Sequence, residues 1–290
     1  MRSTRERIEH FLFTQLAKGM FSAMRGYRQS LPPDYSSLTL ESADGSALEG
    51  ALRPASARAR GVVVLCHPFT KHGFHYFIRH GLVDTLHELG FHVLLFNFKG
   101  VGRSSFQGPS FVDDVVGAVH CARELYPDIP LSLYGASFGG YQALHALPRI
   151  EGSVVRGLFD SVPAEATLFF RSVVISWVFA HLNRGARSRT LGTRPVRDSL
   201  SRIEHTELVL LHGSDDAYCT PEVMQRVCAG VPQLTLEILP GASHLDATKG
   251  SATSYREFFD RHLKEASSAP DCGLPTPGAA VQPLSLADMP

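Results

Sequence analysis

The sequence lacks the cysteine patterns that mark a disulfide-stapled or zinc-binding protein. Its five cysteines are odd in number, and no two are spaced as Cys-x-x-Cys. They are Cys66, Cys121, Cys219, Cys228 and Cys272. A disulfide framework needs paired cysteines and a structural zinc site needs closely spaced ligands, so neither is indicated. The expected compartment is a reducing one.

An excess of charge of one sign and long apolar runs are missing as well. The 28 Lys and Arg residues balance the 28 Asp and Glu residues, so no nucleic acid or other polyanionic partner is indicated. No stretch approaches the length of a membrane span, and no unbroken apolar segment follows the basic start Met1–Arg7 as a secretory signal requires. The expectation is a cytoplasmic protein that acts on a small or apolar substrate.

The chain of 290 residues, 44% of them hydrophobic, can form one substantial core. Residues 1–34 contain apolar side chains at near-helical spacing among Arg and Lys, which predicts an amphipathic helix ended by Pro32 and Pro33. This helix either packs on the domain or docks on a membrane surface or partner. Residues 35–265 form the predicted catalytic domain, and 266–290 read as a disordered tail because they are rich in Ser, Ala, Pro and Gly.

Short runs on either side of Asp44-Gly45-Ser46 predict a β-hairpin at the start of this domain. Apolar runs of strand length then alternate with helical stretches, which predicts an α/β fold with a mostly parallel sheet and helices on both faces. The predicted strands are 37–41, 48–53, 62–66, 92–96, 131–134, 154–159, 208–211 and 234–239. The predicted helices are 76–89, 111–126, 138–147, 221–229 and 255–264. A ligand site is expected at the carboxyl ends of the parallel strands.

One insertion interrupts this alternation, at about residues 161–206. A connection of this length usually has a function, so we expect a short helical cap or lid. The aromatic residues Phe169, Phe170, Trp177 and Phe179 lie in it. They either form apolar walls of a substrate site or only cover the core.

A candidate nucleophile lies between a strand and a helix, in the sequence Gly135-Ala136-Ser137-Phe138-Gly139. A serine on so sharp a turn presents its hydroxyl at the positive end of the helix, and the flanking glycines remove side chains that would collide. The alternative is a glycine-rich structural turn. Because the motif directly follows the apolar run 131–134, we interpret Ser137 as the nucleophile of a strand-to-helix elbow.

A serine nucleophile needs a base and a group that orients the base. The run 208–211 leads into His212-Gly213-Ser214-Asp215-Asp216, and the run 234–239 leads into a loop with His244. The order Ser, Asp, His, with each residue after a strand, is that of one family of serine hydrolases.

The stretch from about Leu38 to Leu263 resembles the α/β-hydrolase superfamily, in particular its serine esterase, lysophospholipase and serine-aminopeptidase-like branches. The resemblance also includes Cys66-His67-Pro68-Phe69 and the loop Asn97–Ser104, which is similar to the family's G-x-G-x-S loop. It implies a triad of Ser137, Asp216 and His244. The family's acid usually lies three residues after the His-Gly pair, which selects Asp216 over Asp215, but Asp160 occupies a position that some relatives use.

The resemblance also implies an oxyanion hole made by the backbone N–H groups of Phe138 and Phe69. Here the family's usual His-Gly is His67-Pro68, and proline has no N–H. His67 is expected to contact substrate, together with Phe169, Phe170 and Trp177 of the cap. The histidines at 67, 72, 75 and 80 are crowded but lack a recognised metal-ligand spacing.

The sequence therefore predicts a serine hydrolase that cleaves a carboxylic ester or thioester through an acyl-enzyme, with no metal or organic cofactor. A peptidase or amidase with the same triad is one alternative. The other is a non-catalytic hydrolase-fold protein that binds a partner or a membrane through its N-terminal helix.

Overall fold

The computed structural model describes residues 29–108, 110–165, 195–246 and 252–263, together with residues 8, 11, 15, 18, 19 and 27. The eight strands are β1 (Ser36–Glu41), β2 (Ala47–Arg53), β3 (Gly61–Cys66), β4 (Phe91–Phe96), β5 (Leu131–Ala136), β6 (Arg156–Asp160), β7 (Glu207–Gly213) and β8 (Leu234–Leu239). The helices are α1 (His75–Arg79), α2 (Leu82–Glu88), α3 (Val112–Leu125), α4 (Phe138–Ile150), α5 (Val196–Leu200), α6 (Pro221–Cys228) and α7 (Ala252–Leu263).

The strands form one sheet in the order β1-β2-β4-β3-β5-β6-β7-β8. Strands β1 and β2 form the antiparallel hairpin, and β2 also pairs antiparallel with β4. All other pairs are parallel. The predicted α/β fold is therefore confirmed, and the carboxyl ends of six parallel strands, β3 to β8, share one edge of the sheet.

Alternation of side chains along the buried strands divides the core into two layers. In β3, Val62, Val64 and Cys66 face the layer covered by α3, α4, α5 and α6, whereas Val63 and Leu65 face the layer covered by α1, α2 and α7. All five side chains are fully buried. A continuous apolar run is what a strand covered on both faces requires, and β3 is such a strand.

The predicted single helix 76–89 is wrong in one respect. The structure divides it into α1 and α2, because Gly81 between them has φ of 71°, in the left-handed region that glycine tolerates and helices exclude. The predicted strand 154–159 begins later, at Arg156, after a 3-10 turn at Glu151–Ser153.

In the predicted N-terminal segment, the residues that the structure describes at 8, 11, 15, 18 and 19 are helical. Ile8 and Phe11 are 55% and 60% exposed, so neither side chain is buried against the domain. Most of the cap, at 166–194, and the tail 266–290 lie outside the described residues. None of the described helices has the length and hydropathy that a membrane crossing requires.

A buried charged cluster fixes the loop that follows β4. The Lys99 side chain is fully buried and pairs with Asp44 and, at 3.1 Å, with Asp114. The Asp114 carboxylate also accepts the Ser42 hydroxyl at 2.7 Å and the Lys99 backbone N–H at 2.9 Å. Burial raises the pKa of Asp114 to about 6 although the Lys99 charge opposes this shift. The cluster ties the hairpin turn and α3 to the loop.

We expect Lys99→Met to lower the free energy of unfolding by about 3–5 kcal/mol, because a buried carboxylate is left without its cation. The measurement is denaturant unfolding at pH 7.5. The matched control is Arg256→Met, which breaks the exposed pair with Glu88 and should cost less than about 1 kcal/mol. Equal costs for the two variants would contradict the role of Lys99.

Candidate active site

Ser137 lies on a strained turn between β5 and α4. Its φ and ψ are 49° and −114°, a conformation that residues with a side chain rarely adopt and that costs about 1–3 kcal/mol. Two backbone hydrogen bonds hold it, from the Ser137 N–H to the Asp160 carbonyl oxygen at 2.8 Å and from the Tyr141 N–H to the Ser137 carbonyl oxygen at 2.9 Å. The side chain is thereby presented at the carboxyl edge of the sheet.

Glycines around this turn allow backbone segments to touch. A Cβ on Gly139 would collide with the carbonyl oxygen of Cys66 at the end of β3, and one on Gly135 would lie 2.5 Å from the Gly140 Cα. The first turn of α4 therefore packs directly on the ends of β3 and β5. The spacing of glycines in the motif follows from these contacts.

His244 and Asp216 meet Ser137 at this edge. His244 lies on the loop after β8, and its Nε2 is 2.8 Å from the Ser137 Oγ. Its Nδ1 is 2.8 Å from the Asp216 Oδ2. Since a carboxylate can only accept, Nδ1 carries the proton and Nε2 is free to accept the serine hydroxyl proton. The structure thus brings together the three residues that the sequence singled out.

The loop after β7 holds Asp216 in place. The Asp216 Oδ1 accepts the backbone N–H of Tyr218 at 2.8 Å and that of Cys219 at 3.4 Å. Burial disfavours the charged carboxylate, but the hydrogen bond and charge of His244 and the Tyr218 N–H outweigh it, so the pKa of Asp216 lies below its ordinary value. The neighbouring Asp215 is exposed and accepts the Ser214 hydroxyl at 2.8 Å.

Asp160, the rival acid, is bound elsewhere. It is 1% exposed at the end of β6, and its carboxylate accepts the hydroxyls of Tyr255 at 2.6 Å and Ser161 at 2.8 Å. The carboxylate that receives the His244 Nδ1–H is that of Asp216. The structure therefore pairs His244 with Asp216, the acid that the resemblance favours, and not with Asp160.

The expectation that His67 contacts substrate needs correction. The side chain is 1% exposed, its Nδ1 donates to the Pro68 carbonyl oxygen at 2.7 Å, and its Nε2 accepts the Phe98 N–H at 3.1 Å. Burial lowers the pKa of His67 to about 4, against the opposing effect of the Pro68 hydrogen bond. A neutral imidazole with both nitrogens bound to backbone supports the loop after β3 and leaves neither ring nitrogen for a ligand.

The two residues expected to form the oxyanion hole lie side by side. Phe138 is the first residue of α4, and the rings of Phe69 and Phe138 are in edge-to-face contact with centroids 5.7 Å apart. Phe69 is 43% exposed, so part of its ring is open to solvent beside the Phe138 ring. The proline at 68 does not prevent the loop from reaching the helix.

Several expectations about substrate contacts fall on residues of the cap. Phe169, Phe170, Trp177 and Phe179 lie outside the described residues, and their roles remain predictions. Across the part of the chain that the structure describes, no cluster of three His, Cys, Asp or Glu side chains is arranged to hold a metal.

Two residues near the site were missed by sequence reasoning. The Tyr218 ring lies 4.5 Å from the His244 ring, centroid to centroid. His212 is buried, with Nε2 2.5 Å from the Cys219 carbonyl oxygen and 3.7 Å from the Asp216 Oδ2. Only the position of His212 in the His-Gly pair before the acid could have pointed to it, and nothing in the local pattern points to Tyr218.

Residues 61–180 match a family model described as the alpha/beta hydrolase fold. The chain has the α/β-hydrolase fold. Among solved structures, this α/β hydrolase is similar to the esterase Pf2001 of Pyrococcus furiosus, with 18% identity, a TM-score of 0.67 and coverage of 82% of this chain and 96% of that one. No curated protein matches this α/β hydrolase in sequence.

Two further solved structures share the fold of this α/β hydrolase. One is a serine hydrolase without a lid from Xanthomonas campestris, with 20% identity, a TM-score of 0.58 and coverage of 84% and 100%. The other is an esterase of Exiguobacterium antarcticum, with 15% identity, a TM-score of 0.58 and coverage of 79% and 100%. At such identities the likeness shows the fold alone.

The buried neutral state of His67 should make stability depend on pH. The unfolded chain protonates this histidine near 6.5 and the folded chain near 4, so the unfolded state binds more protons between these values. Stability is therefore full above pH 6.5 and falls as the pH drops towards 4, by about 3 kcal/mol in total. The measurement is the free energy of unfolding at several pH values from 7.5 to 4.5.

His67→Gln serves as the comparison, because it does not titrate while other titrating groups are shared with the wild type. We expect the wild-type advantage over this variant to shrink as the pH falls. A difference that is constant across this range would contradict the assignment of His67 as a neutral buried support.

Proposed function

We propose that this α/β hydrolase is a serine hydrolase that cleaves a carboxylic ester or thioester of a small or acyl-type substrate. The observation that carries the proposal is the continuous pair of hydrogen bonds from Asp216 through His244 to Ser137, each 2.8 Å long. This arrangement lets the imidazole take the serine proton while the carboxylate stabilises the imidazolium. A protein that only binds has no chemical need for it.

The proposed reaction begins when His244 removes the Ser137 proton and the Ser137 Oγ attacks the substrate carbonyl carbon. The backbone N–H groups of Phe138 and Phe69 stabilise the resulting oxyanion, aided by the positive end of α4. The imidazolium then protonates the leaving alcohol or thiol, which leaves an acyl group on Ser137. Water, with His244 again as base, hydrolyses this acyl-enzyme and restores the hydroxyl.

The choice of ester or thioester over amide rests on apolar side chains rather than on the triad. The exposed ring of Phe69 packs against the ring of Phe138, the residue after Ser137, and is proposed to offer an apolar contact for an acyl group. The aromatic residues of the cap are proposed to add apolar walls. Pf2001 and the Exiguobacterium protein are described as esterases, which agrees with this choice. The resemblance to lysophospholipases and the thioesterase alternative indicate that acyl esters and acyl thioesters are the substrates to test.

A fluorophosphonate probe should label the wild-type protein and fail to label Ser137→Ala, because the probe phosphonylates an activated serine. His244→Ala should slow labelling by about 10²–10⁴-fold, since general-base assistance is lost. Asp216→Asn should slow it by about 10⁴-fold through the wrong imidazole tautomer. The measurement is the second-order labelling rate at pH 7.5.

The matched control is Asp215→Asn, which removes the exposed neighbouring carboxylate and should label within about 2-fold of wild type, as a surface substitution does. Wild-type labelling no faster than that of Ser137→Ala would overturn the proposal. Retention of most of the labelling rate in Asp216→Asn would overturn the role of Asp216 alone.

Substrate class is separated by a panel of p-nitrophenyl esters, acyl-CoA thioesters and aminoacyl anilides tested on one preparation. We expect turnover of esters or thioesters with kcat/KM well above that of the anilides, because an apolar acyl site contributes binding energy that an aminoacyl group cannot use. Preferential cleavage of the anilides would instead establish the peptidase alternative. Ser137→Ala supplies the background rate for each substrate.

A further inference from the structure

A buried hydroxyl links the rival acid to the loop that carries the base. The Ser161 Oγ accepts the backbone N–H of Leu245 at 3.0 Å and donates to the Asp160 Oδ1 at 2.8 Å. Leu245 directly follows His244, and Ser161 directly follows β6. Both Ser161 and Leu245 are well buried, with 1% and 9% exposure. The bridge therefore joins the end of β6 directly to the His244 loop.

The backbone on both sides of this bridge is strained. Ser161 has φ of 54° and Leu245 has φ of 61°, in the left-handed region that costs about 1–2 kcal/mol for residues with a Cβ. Such conformations persist only where the surroundings enforce them. At Ser161 a second backbone bond, from its N–H to the Leu211 carbonyl oxygen at 2.9 Å, adds to the constraint.

The other side of the Asp160 carboxylate is fixed by tyrosines from two elements. Its Oδ2 accepts the Tyr255 hydroxyl of α7 at 2.6 Å and lies 3.4 Å from the Tyr134 hydroxyl of β5. The two hydroxyls are 3.2 Å apart. Burial raises the pKa of both tyrosines well above the ordinary value, so both remain protonated donors. The carboxylate that anchors the bridge is thus held from the strand, the helix and the loop.

Asp160 also contacts the nucleophile through its backbone, because its carbonyl oxygen accepts the Ser137 N–H at 2.8 Å. Asp160 therefore holds the turn of Ser137 by its main chain, and its side chain reaches the loop of His244 through the Ser161 hydroxyl. The pair of Asp160 and Ser161 thus contacts both the turn of Ser137 and the loop of His244.

We propose that Ser161, anchored by Asp160, is a positioning residue that holds His244 in hydrogen-bond reach of Ser137. The inference rests on the proposed function, since positioning matters only for a reaction that uses the base. Loss of the hydroxyl removes its hydrogen bond to the Leu245 N–H and lets the His244 loop shift. A misplacement of about 1 Å in such a site can lower the rate by about 10²-fold.

Two variants separate positioning from stability. Ser161→Ala removes the hydroxyl and keeps the strain of a left-handed residue with a Cβ, whereas Ser161→Gly removes the hydroxyl and relieves that strain. We expect both to lower kcat for the best ester by about 10- to 100-fold and to leave KM within about 2-fold. The glycine variant keeps the test informative if the alanine variant folds poorly.

A control hydroxyl lies at the opposite edge of the sheet. Thr206, which is 1% exposed just before β7, donates to the Val154 carbonyl oxygen at 3.1 Å. Thr206→Val removes this hydroxyl at nearly constant volume and should change kcat by less than 2-fold, whatever it does to the melting temperature. If Ser161→Ala, Ser161→Gly and Thr206→Val each lost kcat in proportion to their loss of stability, the proposal would be overturned.

A spectroscopic measurement is independent of turnover. The His244 Nδ1 proton in its bond to Asp216 should give a low-field proton resonance in the wild type and in Thr206→Val. We expect it to be broadened or lost in both Ser161 variants. A sharp, unshifted resonance in Ser161→Gly would overturn the positioning role even if the wild type proves inactive, whereas absent labelling and turnover with the expected resonances would overturn the proposed function alone.

Discussion

The site depends on one close backbone approach, that of the first turn of α4 to the ends of β3 and β5. Glycine at 139 permits contact with the Cys66 carbonyl oxygen, and the strained φ of Ser137 is the local cost of turning from strand to helix in so little space. The same contact sets the loop after β3 against α4. The positions of the nucleophile and of the expected oxyanion donors therefore follow from a single packing constraint.

Around that contact, buried polar groups hold the loops at the carboxyl edge. His67 joins the loop after β3 to the segment after β4, and Asp216 is bound by the loop that carries it. The Asp160 carboxylate accepts the hydroxyl of the residue that follows β6 and a hydroxyl from α7. Each of these groups is fully or largely satisfied by named partners, which is the condition under which buried polar groups can be retained. These hydrogen bonds tie the loops to the sheet and to one another.

Local sequence patterns predicted most of the strands and helices of the fold. Continuous apolar runs predicted strands such as β3 and β5 within two residues, because a strand covered on both faces must be apolar throughout. The pattern failed at Gly81, where helical periodicity continued through a residue that takes a left-handed conformation and ends α1. The spacing of apolar residues indicates which face of a helix is buried. It does not reveal a single residue that ends one helix and begins another when both helices bury the same face.

The sequence by itself determined that Ser137 lies on an elbow and that an acid and a histidine follow later strands, since glycine spacing and strand order are local properties. Only the tertiary structure decided that Asp216, and not Asp160, bonds to His244, and that His67 is enclosed rather than open to a ligand. Both outcomes depend on hydrogen-bond partners far apart in the chain, such as Tyr255 for Asp160 and Phe98 for His67. A local sequence pattern does not specify which distant residue will form a hydrogen bond with a given side chain. Those partners are determined only when the folded sheet brings the carboxyl ends of its strands, and the loops that follow them, together.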